Sequence, residues 1–231
     1  MRILYVEDEL WHRTSVSEYL QVAGYDVETA GTLSDAFNAI RITDYRLILL
    51  DIGLPDGNGL KLVAELRRNG YTGWIILLTA HSDSQSVILG LEAGADDYVV
   101  KPFRIREIKA RIDAASRRME VPGVIQRSHG HIEIGDLVLD REFQRLVNDS
   151  GIPIIISRME YAVLLTLMLR SPQIVTKVEL KTEVWGNPYA DSDAMVHSLI
   201  HRIRRKLEDA QIEKVLIESV YDKGYRLRHI S

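Results

Sequence analysis

The sequence predicts an α/β domain built on a doubly wound five-stranded parallel sheet, followed by a smaller α+β domain, within 231 residues. Three observations lead there. Short apolar runs recur at about 2–6, 26–29, 47–50, 74–78 and 97–100, with amphipathic helical stretches between them. Runs without polar alternation suit strands buried on both faces and joined by right-handed crossovers. Past residue 130 the pattern changes to short alternating segments, then helices, then a turn-centred pair of strands. The length itself suits two modest domains better than one.

In order along the chain, Ile3-Leu4-Tyr5-Val6 reads as the first strand and runs into Glu7-Asp8. Leu47-Ile48-Leu49-Leu50 runs into Asp51, Trp74-Ile75-Ile76-Leu77-Leu78 into Thr79, and Tyr98-Val99-Val100 into Lys101. The last helix of this half, Arg104 to Arg118, sets Ile105, Ile108 and Ile112 on one face. Turn residues in Glu120-Val121-Pro122-Gly123 and Ser128-His129-Gly130 carry no sustained period. The expected division is therefore a first domain at 1–118, a linker at 119–130 and a second domain at 131–231. Residues 131–156 read as short strands around the turn Asn148-Asp149-Ser150-Gly151. Ser157 with Glu160 forms a capping-box pattern for a helix through Leu169, and Thr176 starts another through Val184. A longer helix is expected from Ser192 to Asp209. Val215 to Tyr221 and Tyr225 to Leu227 then flank Asp222-Lys223-Gly224 as a hairpin.

Composition excludes several classes. With no cysteine there is no disulfide, thiolate metal site or thiol nucleophile. No apolar run approaches the ~18 residues that span a bilayer, and the chain enters a strand pattern without a charged-then-apolar leader, so a cytoplasmic protein without a membrane partner is expected. Net charge is −4, with 14 basic against 17 acidic residues in 1–118 and 15 against 16 beyond. Any nucleic-acid role must then rest on a local cluster. The seven histidines show no metal-ligand spacing beyond the His197/His201 pair, the glycines at 53, 57 and 59 form no phosphate-cradling loop, and no Ser-His-Asp arrangement can be argued.

In a parallel sheet of this kind, ligands sit at the carboxyl edge of the strands, so Glu7, Asp8, Asp51, Thr79 and Lys101 converge in one cleft. Three carboxylates that close do not all stay ionised without a cation, and a hard, oxygen-seeking ion such as Mg²⁺ is the natural neutraliser. A metal, a nucleophilic carboxylate, a hydroxyl and an ammonium together suit transfer of a phosphoryl group onto Asp51. The motifs Glu7-Asp8-Glu9, Leu50-Asp51-Ile52-Gly53-Leu54-Pro55-Asp56-Gly57, Leu78-Thr79-Ala80 and Gly94-Ala95-Asp96-Asp97-Tyr98-Val99-Val100-Lys101-Pro102-Phe103 resemble the receiver domain of two-component response regulators. The resemblance implies a flavodoxin-like sheet of order 2-1-3-4-5. It also implies Mg²⁺ (or Mn²⁺) held by Glu7, Asp8, Asp51 and the Gly53 carbonyl, and phosphorylation of Asp51 by a sensor histidine kinase. Thr79 and Lys101 would hold the phosphoryl oxygens, with Thr79 and Tyr98 forming a switch. A phosphohydrolase would need a second acid two residues after the nucleophile, where Gly53 stands. A receiver acting as a phosphorylation-independent dimerisation module remains the alternative.

On the long helix, Val196, Leu199, Ile200, Ile203 and Leu207 fall on one stripe at 100° per residue. Ala194, Ser198, His201, Arg202 and Arg205 oppose it, with Arg204 and Lys206 on the flanks. With the Trp185-Gly186 loop and Lys223-Gly224-Tyr225-Arg226, this half resembles the winged-helix effector of the OmpR/PhoB subfamily. That resemblance implies a homodimer on tandem half-sites of double-stranded DNA and contact with RNA polymerase. Ser198, His201, Arg202 and Arg205 are then expected to read bases, and Arg204, Lys206 and Lys223 to meet the backbone. Tyr221 and Asp222 replace the usual Arg and Gly of the wing. The subfamily's dimer face maps onto Val87, Leu89, Glu92, Asp97, Glu107 and Arg111. Val87 stands where Lys or Arg is usual, and Asp113 where a Lys usually meets the position of Glu92. A dimer that is weaker, shifted or less dependent on phosphate is expected.

Overall fold

The structure, a computed structural model, describes residues 1–80, 84–120, 130–186 and 193–230, with side chains except at 84–87 and 118–120. It divides into two compact units, Met1–Arg117 and Arg118–Ser231.

In the first unit, strands β1 (Arg2–Val6), β2 (Asp26–Ala30), β3 (Leu47–Asp51), β4 (Trp74–Thr79) and β5 (Asp97–Val100) alternate with helices α1 (Leu10–Val22), α2 (Leu33–Ile42), α3 (Gly59–Arg68), α4 (Ser84–Ala93) and α5 (Ile105–Glu120). The sheet is parallel throughout, in the expected order 2-1-3-4-5. Every residue of β3 and β4 is buried, as apolar runs covered by helices on both faces require, whereas the edge strand β2 alternates more. Leu4, Val6, Ile48, Leu50, Ile75 and Leu77 pack there against Leu62 and Val63 of α3. The register sets Val6 beside Leu50, Asp51 beside Leu78 and Thr79 beside Val100, so the strands finish level with one another.

Two devices hold that edge. Gly53–Leu54 pairs with Gly57–Asn58 in a tight turn after Asp51, and Asn58 caps α3 by accepting the N–H of Leu60 at 2.8 Å. From the same turn, Asp56 accepts the N–H groups of Leu33 and Ser34 at 2.8 and 2.9 Å, joining it to the start of α2. At the opposite end of the sheet Arg67 binds Asp96 at 2.6 Å and the carbonyls of Gly94, Tyr71 and Gly73, while Asp96 also accepts the N–H of Ile75 at 2.8 Å. That buried pair fastens α3 to the entrances of β4 and β5.

The second unit opens with a four-stranded antiparallel sheet of β6 (His131–Ile134), β7 (Leu137–Asp140), β8 (Arg145–Asn148) and β9 (Pro153–Ile154), in the order 9-8-7-6. Helices α6 (Arg158–Leu169), α7 (Lys177–Trp185) and α8 (Asp193–Asp209) follow. The strand β10 (Val175–Thr176) and the hairpin β11 (Val215–Val220) and β12 (Gly224–His229) form a three-stranded sheet in the order 10-12-11. The expected capping box forms at Ser157 with Glu160, and Thr176, the expected start of the next helix, forms a second one with Glu179. Asp136, at the turn before β7, accepts the N–H groups of Glu213 and Lys214 and so fixes the start of the hairpin. Gly224 at φ +155° lies so close to β10 that a Cβ would stand 2.1 Å from the Val175 carbonyl oxygen, which accounts for glycine there.

Candidate functional site at the carboxyl edge of the sheet

The level strand ends bring together the side chains expected there. Glu7 leaves β1 with its N–H bound to the Ala30 carbonyl at 3.0 Å and its carboxylate 1 % exposed. Asp51 ends β3, 7 % exposed, and Asp8 stands beside them in the open. One oxygen from each of Glu7, Asp8 and Asp51 can be chosen so that all three lie within 4.8 Å of one another. Hard oxygen donors at that spacing, two of them buried, fit a small divalent cation. Gly53 is exposed and donates its N–H to Asp51 Oδ1 at 3.2 Å.

Lys101 reaches across the edge, its Nζ 2.6 Å from Asp51 Oδ2 and 2.8 Å from Glu7 Oε2. Burial works to depress its pKa, but the hydrogen bonds and the charges of Asp51 and Glu7 outweigh it, and the pKa is raised. The backbone N–H of Lys101 donates to the Thr79 carbonyl at 2.7 Å, which sets the base beside the buried Thr79. Burial and the adjoining Glu7, which accepts the Tyr5 hydroxyl at 3.3 Å, push the Tyr5 phenol upward. Tyr98 is half-buried against the core.

A further residue, Arg13, supports the edge. Arg13 Nη1 donates to the carbonyls of Glu7 and Asp8 at 2.6 and 3.1 Å, bracing the loop that carries both acids. Its position in the first turns of α1 is the only signal the chain offers, and many surface arginines share it.

On the expected dimer face Leu89 and Glu92 are exposed. Arg111 pairs within the unit with Asp97 at 2.9 Å and with Glu107 at 3.3 Å. Asp113 accepts from Tyr25 and, at 2.7 Å, from Lys109. The side chain of Val87 lies outside the described residues.

In the second unit, α8 requires a correction. Ser198 and Arg202, expected on the outward face, are buried at 4 % and 8 % exposure. Arg202 Nε lies 3.3 Å from Glu160 of α6, an ion-pair contact without the alignment of a hydrogen bond, and Lys206 Nζ lies 2.7 Å from the same carboxylate. The apolar stripe marks only the middle of a wider buried face, because α6 carries a buried acid that draws the basic flank inward. Arg204 donates to the Ile217 carbonyl at 2.7 Å and to Ser219 Oγ at 3.0 Å, which binds the helix to the hairpin. His201, Arg205 and, on the wing, Lys223 remain exposed as expected, and His197 joins them.

A sheet wound in this order, with acids, a hydroxyl and an ammonium on its carboxyl edge, defines the phosphorylatable receiver class; the second unit has the helices and terminal wing of a DNA-binding domain. Residues 3–113 match the response regulator receiver domain, and residues 151–227 match the C-terminal domain of transcriptional regulatory proteins. The chain is 36 % identical over 225 residues to the transcriptional regulatory protein AfsQ1 of Streptomyces coelicolor, covering 97 % of each. It is also 36 % identical over 226 residues to the two-component response regulator PhoP of Pseudomonas aeruginosa, again over 97 % of each. Among solved structures a RitR mutant matches over 99 % of each chain, with a TM-score of 0.78 and 28 % identity. The chain belongs to the two-component response regulators with an OmpR/PhoB-type DNA-binding domain.

Proposed function

We propose that Asp51 accepts the phosphoryl group of a phosphohistidine on a sensor kinase, and that this charge controls binding of the second domain to DNA. The observation that carries the reading is Lys101 Nζ bridging Asp51 and Glu7, which places a fixed cation where phosphoryl oxygens gather on the acceptor. Glu7, Asp8, Asp51 and the Gly53 carbonyl hold Mg²⁺ or Mn²⁺; when bound, the cation neutralises carboxylate and phosphoryl charge. Lys101 and Thr79 bind the phosphoryl oxygens. Thr79 then moves toward the phosphate and Tyr98 turns inward, which biases the α4–β5–α5 surface through nearly two added negative charges.

Residues 1–118 and 131–231 work as the two domains, joined by 119–130, in the cytoplasm. The active form is a homodimer on tandem half-sites that also meets RNA polymerase. Since Asp113 is engaged by Tyr25 and Lys109 and Val87 supplies no cation, that dimer leans on apolar contacts from Val87 and Leu89 more than on charge. Exposed ion pairs are worth only ~0–1 kcal/mol each in any case.

Incubation with a small phosphodonor and Mg²⁺, followed by mass mapping, tests the acceptor. Label on Asp51 that Asp51→Asn abolishes is expected. Undiminished labelling of Asp51→Asn would overturn the assignment.

A further inference from the structure

The outward face of α8 differs from the one its apolar stripe suggests. Arg202 and Lys206 are committed to Glu160, and Arg204 to the wing. Asp193, His197, His201 and Arg205 stand exposed at four-residue intervals, one above another. Asp193 is held by Lys177 and Lys181, each at 2.8 Å. The groups left to meet a groove on this stretch of the described helix are two imidazoles and one guanidinium.

His197 is not a freely rotating imidazole. Its Nδ1 bonds the hydroxyl of Tyr225, a wing residue only 2 % exposed, and the two rings meet edge-on with centroids 5.9 Å apart. Lys177 faces the histidine from α7, and Asp193 and Arg204, the latter bonded to the wing, act on it from its own helix. Burial, then the Lys177 charge, depresses the imidazole pKa, while burial raises that of the phenol; both groups are neutral at physiological pH. A neutral phenol is the stronger hydrogen-bond donor of the two and a bare imidazole nitrogen the stronger acceptor, which favours a bond from the hydroxyl to Nδ1 with the proton on Nε2, at the other side of the ring.

We propose that His197, set by Tyr225 in its Nε2–H tautomer, is a base-reading residue that selects a guanine edge in the major groove, with His201 and Arg205 as its neighbours on the reading face. The proposal rests on the DNA-binding role of this domain. A lone N–H donor is best matched by guanine, whose N7 and O6 give two adjacent acceptors; thymine offers O4 alone beside its methyl group, adenine sets an amino donor beside its N7, and cytosine offers a donor. Tyr225 is the positioning residue. Without its hydroxyl, both tautomers of His197 become accessible and the donor at Nε2 is no longer fixed.

The test uses the full-length protein and a pool of randomised 30-base-pair duplexes, with the retained molecules sequenced. The wild-type protein should enrich a motif containing a guanine whose preference falls ~2- to ~12-fold in His197→Ala, with neighbouring positions unchanged. His197→Gln should shift that position toward adenine, which a carboxamide pairs bidentately. Tyr225→Phe, which keeps the packed ring, should weaken the same guanine preference. Nitrogen-15 NMR of the imidazole should show one Nε2–H tautomer in the wild type and a mixture in Tyr225→Phe. An identical motif in His197→Ala, or a tautomer mixture already in the wild type, would overturn the proposal alone. Enrichment of no motif by the wild-type protein would overturn sequence-specific DNA recognition, and the proposal with it.

Discussion

Arg202→Ala is expected to loosen the packing of α8 on α6 before it alters any base preference. The guanidinium is buried beside a carboxylate that is itself 2 % exposed, so solvent screens the pair little. Lys206 still faces Glu160 at 2.7 Å after the substitution, so the loss is that of a partly unsatisfied buried acceptor, about 1–3 kcal/mol. Glu160→Ala is harsher. It removes the shared partner of Arg202 and Lys206 together with the carboxylate that accepts the Ser157 N–H at 2.6 Å, for about 3–5 kcal/mol. At ~1.4 kcal/mol per tenfold, amide exchange from peptides of α6 and α8 should accelerate ~5- to ~150-fold in Arg202→Ala and ~150- to ~5,000-fold in Glu160→Ala. The double variant should cost less than the sum, since each single change spoils the same pair. Binding to specific and scrambled duplexes should fall together. Protection within twofold of the wild type, with loss confined to one base pair, would refute the structural role and restore Arg202 to the reading face.

The same carboxylate sets an acid limit. Burial opposes ionisation of Glu160, but Arg202 and Lys206 prevail and its pKa lies below the ordinary value, so its contribution is complete above about pH 4.3 and fades as pH falls further. Exchange in α6 and α8, corrected for intrinsic rates, should therefore rise steeply in that acid range, and Glu160→Gln should flatten the slope; equal slopes would contradict it. Gly59→Ala would place a Cβ 2.5 Å from the Asp51 carbonyl oxygen. The backbone must give way at a cost of about 1–3 kcal/mol, so both the urea midpoint and the rate of Asp51 labelling should drop, and neither moving would count against it. Lys101→Met leaves Glu7 and Asp51 facing each other without their shared cation, so the midpoint should fall and be recovered by millimolar Mg²⁺; a fall indifferent to Mg²⁺ would mean that the pocket does not hold the ion.

The strand ends were legible because their signal is local. An apolar run needs burial on both faces, its last residue marks the edge of the sheet, and right-handed crossovers leave few ways to order five such strands. Glu7, Asp51, Thr79 and Lys101 could therefore be placed together from sequence, and the capping box of Ser157 and Glu160 likewise needed only neighbours three residues apart. Arg13 could not be read this way, because the carbonyls it braces become a target only once the loop after β1 has closed.

What the amino-acid sequence determined by itself was the order of elements and the set of groups on the phosphoacceptor edge, for which spacing along one segment suffices. The rotation of α8 was decided by tertiary structure. Its apolar residues specify an axis of burial, but the width of the buried face depends on what packs there, and a buried Glu160 on α6 repays the burial of Arg202 and draws in the half-buried Lys206. The same packing brought Tyr225 of the wing onto His197. Charge pairing across 46 residues and a hydroxyl contact across 28 are properties of the folded chain, invisible to any periodicity within a single helix.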